Sequence, residues 1–170
     1  MKKLSEEQIM ARAGAIQLVF MDVDGVLTDG RIILTSNGEE AKSFNVKDGH
    51  GIAMSLRAGL KIAWVSGRKS DVTRIRAEEL GVTHLSQGER EKLPIVKRIA
   101  SELGVPLENA AFIGDDVVDL EPMQAVGLAI AVADALPQAR EAAHWITGAK
   151  GGHGAVREVL DIILQARSSG

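Results

Sequence analysis

The sequence predicts an α/β fold: a Rossmann-like, doubly wound, mostly parallel sheet with a small β-hairpin after the first strand and no cap domain. Two observations carry this expectation. Short apolar runs alternate with helical stretches about every 20 to 25 residues, and three of the runs end in conspicuous polar or acidic groups. The length, 170 residues, suits one domain with a single sizeable core.

The elements follow in order. Residues 1–14, "MKKLSEEQIMARAG", read as a polar N-terminal extension; two lysines lead into glutamates with no apolar core, so this is not expected to be a signal peptide. "AIQLVF" reads as a strand buried on both faces, and it ends in "MDVDGVLTDG". Residues 31–44, "RIILTSNGEEAKSF", form two extended arms around Asn37-Gly38, a strong hairpin signal. "GHGIAMSLRAGL" has helical spacing up to Gly59, and "KIAWVS" is the next buried strand. "SDVTRIRAEELG" runs from a Ser or Asp cap to Gly81. "THLSQG" is a short strand and turn, and "EKLPIVKRIASELG" is helical because a first turn tolerates Pro94. "NAAFIGDD" is a strand ending in acids. "VVDLEPMQAVG", "LAIAVAD", "LPQAREAA" and "HWITG" continue the alternation, and residues 148–170 supply a glycine-rich tail and a final helix.

Composition narrows the partners. The chain is 45% hydrophobic and 25% charged with a net charge of −3, which gives no reason to expect nucleic acid or an anionic membrane. No apolar stretch reaches bilayer-spanning length, so a soluble protein is expected. Cysteine is absent, which excludes disulfides and thiolate zinc sites and suits a reducing cytoplasm.

In a doubly wound sheet the ligand crevice lies beyond the carboxyl ends of the strands. Asp22 and Asp24, then Ser66-Gly67-Arg68, then Asp115 and Asp116 should converge there. Each aspartate alone reads equally as a helix cap or solvated loop residue. Two acidic clusters closing apolar strands need a counter-charge instead, and a hard divalent cation such as magnesium supplies it. Asp22, Asp115 and a backbone carbonyl near Asp24 are the candidate ligands. Such a site suggests phosphoryl chemistry, with Asp22 as nucleophile and Asp24 as general acid-base. Ser66 can donate hydrogen bonds to the phosphoryl group and Lys92 can supply a point charge, although a lone lysine is usually a solvated one.

"DVDGV", "VSGR", Lys92 and "GDDVVD", in that order, resemble the four motifs of the haloacid dehalogenase phosphohydrolase superfamily. The resemblance implies Asp22 as nucleophile, Asp24 as acid-base and carbonyl donor to magnesium, and Asp115 as the far metal ligand. Asp116 and Asp119 would support that ligand from behind. About 40 residues separate Asp24 from Ser66, and fewer separate Ser66 from Lys92, so no cap domain fits in either gap.

"FNVKDGHGI", "THLSQG", "GLAIAVADA" and "GGHGAVREV" narrow the resemblance to the cap-less phosphatases of 3-deoxy-D-manno-octulosonate 8-phosphate, which serve lipopolysaccharide inner-core synthesis. It implies a substrate loop of Asn45, Val46, Lys47, Asp48 and Gly49, with Ala53 just beyond. Gly67, Arg68, Arg76, Asp24 and Lys92 complete the expected substrate contacts. It also implies a homotetramer in which one subunit roofs the next. The hairpin's Ile32, Ile33, Leu34 and Phe44 exceed what a lone ribbon can bury. Gly151, Gly152 and Gly154 would let the tail bend into a crevice, where Arg157 adds charge. His50 and His153 are given no chemistry, and Trp64 and Trp145 are assigned to the core. The alternatives are a phosphatase for a nine-carbon 2-keto sugar acid phosphate, a phosphotransfer receiver, and a non-catalytic assembly domain.

Overall fold

A computed structural model describes residues 2–168. The polar N-terminal extension is in fact a helix, α1 (Glu6–Gly14). Ser5 accepts a hydrogen bond from the Gln8 N–H while the Gln8 side chain closes a capping box. Ile9 and Ala13 are buried and Met10 packs partly buried against the core, a stripe too short to stand out in the sequence.

The chain continues through β1 (Leu18–Met21), β2 (Ile33–Leu34), β3 (Glu40–Ala41), α2 (Val46–Arg57), β4 (Lys61–Ser66), α3 (Asp71–Leu80), β5 (His84–Gln87) and α4 (Lys92–Glu102). Then come β6 (Ala110–Gly114), α5 (Leu120–Ala125), β7 (Leu128–Ala131), α6 (Pro137–Ala142), β8 (Trp145–Ile146) and α7 (Ala155–Ser168). Single 3-10 turns at Leu107–Asn109 and Val117–Asp119 flank β6. Six strands make one sheet in the order β5-β4-β1-β6-β7-β8, with every pairing parallel. β1, β6 and β7 are buried along their whole length, which explains their unbroken apolar runs.

From β1 the chain winds outward through β4 and β5, then crosses back to β6 on the other side. The winding therefore reverses between β1 and β6, the place where such sheets open a ligand crevice. Asp22 follows β1, Ser66 ends β4 and Asp115 follows β6. The expected convergence is observed.

Three local expectations need correction. The stretch from Asn45 to Gly49 is not a loop: Asn45 caps α2, accepting from the Lys47 N–H at 2.8 Å, and the next four residues form its first turn. Val46 and Lys47 point to solvent, so the apolar periodicity begins only after them. The hairpin pairs just two residues on each arm, with Gly38 in the left-handed region at its tip. Its residues Ile32, Ile33 and Leu34 are exposed, but Phe44 is not free for another subunit, because it stacks on Trp64 with ring centroids 6.4 Å apart. Trp64 is fully buried and Trp145 half-buried.

The glycine-rich tail is also not loose. The Gly152 N–H donates to the Val26 carbonyl at 2.9 Å, and the Gly151 N–H donates to Asp134 at 3.0 Å. Asp48, buried at the start of α2, accepts from the Gly154 and Arg157 N–H groups at 3.2 and 2.7 Å, closing the N-terminus of α7. Arg157 turns its guanidinium to Asp161, not to a crevice. A side chain at position 151 would place its Cβ 1.7 Å from the Gly25 carbonyl oxygen. Gly151→Ala should therefore cost on the order of 1–3 kcal/mol through overpacking, several degrees in a thermal melt. Gly14→Ala, whose new methyl would meet the Ala166 carbonyl at an ordinary 3.6 Å, should melt like the parent. Identical melts for both variants would contradict this account of the tail.

Candidate active site

The crevice is built around a buried lysine. Lys92 stands at the first position of α4, where its helix carries it under the carboxyl ends of β1 and β6. Its Nζ lies 2.8 Å from Asp22 Oδ1 and 2.7 Å from Asp119 Oδ1, with 1% of its side chain exposed. Burial works to lower the Lys92 pKa, but Asp22 and Asp119 outweigh it and hold the ammonium charged. Asp22 also accepts from the Val23 N–H at 2.7 Å. Burial and the Asp119 charge nonetheless push the Asp22 carboxyl up to about 6, against the pull of Lys92.

Asp119 is fully enclosed and has no oxygen to spare. Its Oδ2 accepts from the N–H groups of Asp115 and Asp116, at 3.0 and 3.3 Å, while its Oδ1 holds Lys92. It thus shapes the turn after β6 and joins that turn to Lys92. Asp116 turns outward and caps the turn at Val117.

Asp115 is the opposite case. Its Oδ1 is buried without a hydrogen-bond partner. Burial, with Asp22 and Asp119 nearby, pushes its carboxyl up to about 8. Asp115 comes this close to the first acidic loop only because position 25 is glycine: a Cβ there would sit 2.1 Å from Asp115 Oδ2. Oxygens of Asp22, Asp115 and Asp119 all lie within 4.8 Å of one another. One ammonium among three carboxylates leaves an excess of negative charge. The orphaned oxygen of Asp115, the all-oxygen donor set and this charge fit a hard divalent cation held by Asp22 and Asp115.

Asp24 stands beside this cluster. Lys42, from the return arm of the hairpin, donates to its Oδ1. Arg68 approaches its Oδ2 at 4.0 Å and pairs more closely with Glu40, at 2.9 Å. Hydrogen bonding to Ser70, opposed by burial and assisted by Arg68, holds the Glu40 carboxyl below its ordinary value. Lys42 and Glu40 escaped the sequence reading, yet a signal was present. Glu40, Lys42 and Phe44 occupy alternate positions of one extended arm and all turn inward, while Glu39, Ala41 and Ser43 are exposed.

Ser66 is buried at the end of β4 with its hydroxyl folded onto the Arg68 backbone, donating to the carbonyl at 3.1 Å and accepting from the N–H at 3.2 Å. Gly67 and Arg68 are exposed at the rim. The other residues expected to contact substrate have these partners. Arg76 pairs with Glu79 at 2.7 Å and lies 5.9 Å over the Phe44 ring, with Gly49 against its guanidinium. Val46 and Lys47 face solvent, Asn45 donates to the Gly152 carbonyl at 3.3 Å, and Ala53 is half-buried further along α2. Asp48 is committed to α7. His50 and His153 are exposed.

The chain compares closely with proteins of known kind. Residues 63–160 match the family model of haloacid dehalogenase-like hydrolases. The chain is 45% identical over 159 residues to the 3-deoxy-D-manno-octulosonate 8-phosphate phosphatase of Escherichia coli strain K12, covering 94% of this chain and 85% of that protein. A crystal structure of the phosphatase of that name from Moraxella catarrhalis, in complex with magnesium, phosphate and KDO, superposes with a TM-score of 0.95 at 40% identity, covering 97% of this chain and 95% of that one. The cobalt-bound enzyme of Haemophilus influenzae gives a TM-score of 0.89 at 42% identity, covering 92% of each chain. With the acids, the serine and the buried lysine gathered at the switch point of its sheet, this chain belongs to the haloacid dehalogenase-like hydrolases.

Proposed function

We propose that this chain is a phosphatase that hydrolyses 3-deoxy-D-manno-octulosonate 8-phosphate to the free sugar acid and phosphate, a step in lipopolysaccharide inner-core synthesis. The observation that carries the reading is Asp22, presented at the switch point between buried Lys92 and the open carboxylate of Asp115. An oxygen of Asp22 attacks phosphorus, and the bond from phosphorus to the sugar oxygen breaks. Asp24 delivers a proton to that oxygen, so the sugar leaves as an alcohol and Asp24 remains a carboxylate. Water then attacks the aspartyl-phosphate while Asp24 takes its proton, which releases phosphate and restores both side chains. Lys92 supplies fixed positive charge beside the moving phosphoryl group, and Ser66 with the Gly67 backbone offers donors.

Asp22, Asp115 and the Asp24 carbonyl would hold Mg2+, which when bound would supply the charge that lets the acids ionise and would polarise the phosphoryl oxygens. Asp119 and Asp116 shape the turn that carries Asp115. For the substrate we retain Asp24, Lys92, Gly67 and Arg68 at the site, with Asn45 and Lys47 at the α2 N-terminus. Arg68, half-exposed at the rim, suits a sugar carboxylate or phosphate because its fork binds either in a bidentate way. Among the described residues no helix is long and apolar enough to cross a membrane, and the cysteine-free sequence suits the cytoplasm, where we place the reaction. We further propose a homotetramer whose neighbouring subunits close over the crevice. The exposed Ile32, Ile33 and Leu34 of the hairpin support it.

Asp22→Asn keeps the size of the side chain but removes the attacking charge. Phosphate release should fall by about 10³-fold or more while the fold persists. In a panel with 3-deoxy-D-manno-octulosonate 8-phosphate and a nine-carbon 2-keto acid phosphate, the first should have the higher kcat/KM. A fully active Asp22→Asn variant, or a reversed preference, would refute the mechanism or the substrate respectively.

Metal binding should show in stability as well. In the metal-free protein Asp115, at about 8, and Asp22, at about 6, hold protons that the unfolded chain releases near pH 4. Their contribution is full below about pH 4 and is lost as the pH rises toward 8. Magnesium binds the ionised carboxylates and offsets that loss, so its upward shift of the melting temperature should grow from pH 5 to pH 8. A shift that is equal at both pH values would count against this cation site.

For the assembly, light scattering should give the mass of four chains, and Leu34→Asp should lower it. A parent that stays monomeric across concentrations would remove the tetramer from the proposal.

A further inference from the structure

We propose that Lys42 is a positioning residue for Asp24, which makes the hairpin a working part of the active site within the same chain; the inference rests on the acid-base role proposed for Asp24. The inward face of the return arm carries three groups, each with a different partner. Glu40 is held by Arg68 at 2.9 Å, and Phe44 is stacked on Trp64. Lys42 lies between these two anchors with its side chain 2% exposed and its ammonium on Asp24 Oδ1. A lysine on a two-stranded surface ribbon ordinarily extends its head into water. Burying the ammonium forfeits hydration, and a fixed carboxylate is what compensates.

The other half of Asp24 shows what the pairing achieves. Its Oδ2 is buried and has no hydrogen-bond partner, while the Arg68 Nε stands 4.0 Å away. One oxygen is pinned, and the other has no protein partner to compete with the leaving group and then with water. Without Lys42 the carboxyl would be free to turn toward Arg68, and the open oxygen would lose its aim. Lys42 thus acts through Asp24 and not on phosphorus, which separates it from Lys92.

The two uses of Asp24 provide the test. Departure of an alkoxide from the sugar phosphate needs a proton from Asp24, whereas p-nitrophenolate leaves without one. Hydrolysis of the aspartyl-phosphate needs Asp24 as base whichever ester supplied the phosphoryl group. First-turnover and steady-state rates of Lys42→Met, Lys42→Arg and the parent should be measured on both esters, with thermal melts to follow the fold. In Lys42→Met the first turnover on the sugar phosphate should slow by at least about ten-fold. Its first turnover on p-nitrophenyl phosphate should stay within about two-fold, giving a burst of about one equivalent before a slow steady state. Asp24→Asn should slow the first turnover on the sugar phosphate more strongly still, and Lys42→Arg should recover part of that rate. Equal loss of first turnover on both esters would overturn the proposal, since Lys42 would then serve phosphoryl transfer or folding. Unchanged rates on both would overturn it too. If Lys42→Met does not fold, Lys42→Arg carries the same comparison, because a displaced donor should slow the sugar phosphate selectively. A parent that releases no phosphate from either ester would overturn the phosphatase reading along with it, and is told apart because the parent is measured first.

Discussion

The ion pair that Lys92 shares between Asp22 and Asp119 organises the crevice. Burying a charged lysine is costly unless its donors are met, and here two carboxylates from different strand ends meet them at 2.8 and 2.7 Å. Asp119 in turn accepts the backbone N–H groups of Asp115 and Asp116. A single enclosed network therefore runs from the end of β1, through α4, to the turn after β6. The nucleophile candidate and the metal-ligand candidate are held relative to each other by this network and not by chance loop geometry.

The network leaves two oxygens conspicuously unsatisfied, one on Asp115 and one on Asp24. Unpaired buried acceptors are rare in folded chains, and those that persist need an explanation. Here the explanation is chemical in both cases. The open Asp115 oxygen faces a position where negative charge accumulates and a cation would relieve it. The unpartnered Asp24 oxygen belongs to the side chain proposed to exchange protons with substrate and water.

The wall of the crevice comes from sequence-distant segments packed without room for side chains. The tail before α7 presses Gly151 onto the Gly25 carbonyl, and Gly25 in turn admits Asp115. The hairpin, although only two residues are paired on each arm, supplies Lys42 and Glu40 to the mouth. Because there is no inserted cap, these short elements and any neighbouring subunit are what shield the site from water.

Much was legible in the chain itself. Uninterrupted runs such as "AIQLVF" and "NAAFIG" mark strands buried on both faces, and alternation with helices dictates parallel winding. The winding rule then places Asp22, Ser66 and Asp115 at one edge, and the order of the motifs indicates phosphoryl chemistry. The strands and their winding follow from local periodicity and chain order, which a sequence states directly. The reading of the ordered motifs is what their resemblance to the phosphohydrolase superfamily implies. Tertiary structure decided what depends on approach between distant segments. The resemblance offers Asp48 and Arg76 as substrate contacts, and only the fold shows that the first also closes the N-terminus of α7 and that the second lies over Phe44. Lys42 looks like a solvated hairpin charge, yet it is buried on Asp24 because Phe44 and Glu40 anchor the arm on either side. A charged side chain is long and its partner is chosen by packing, so its role is settled only when the chain has folded.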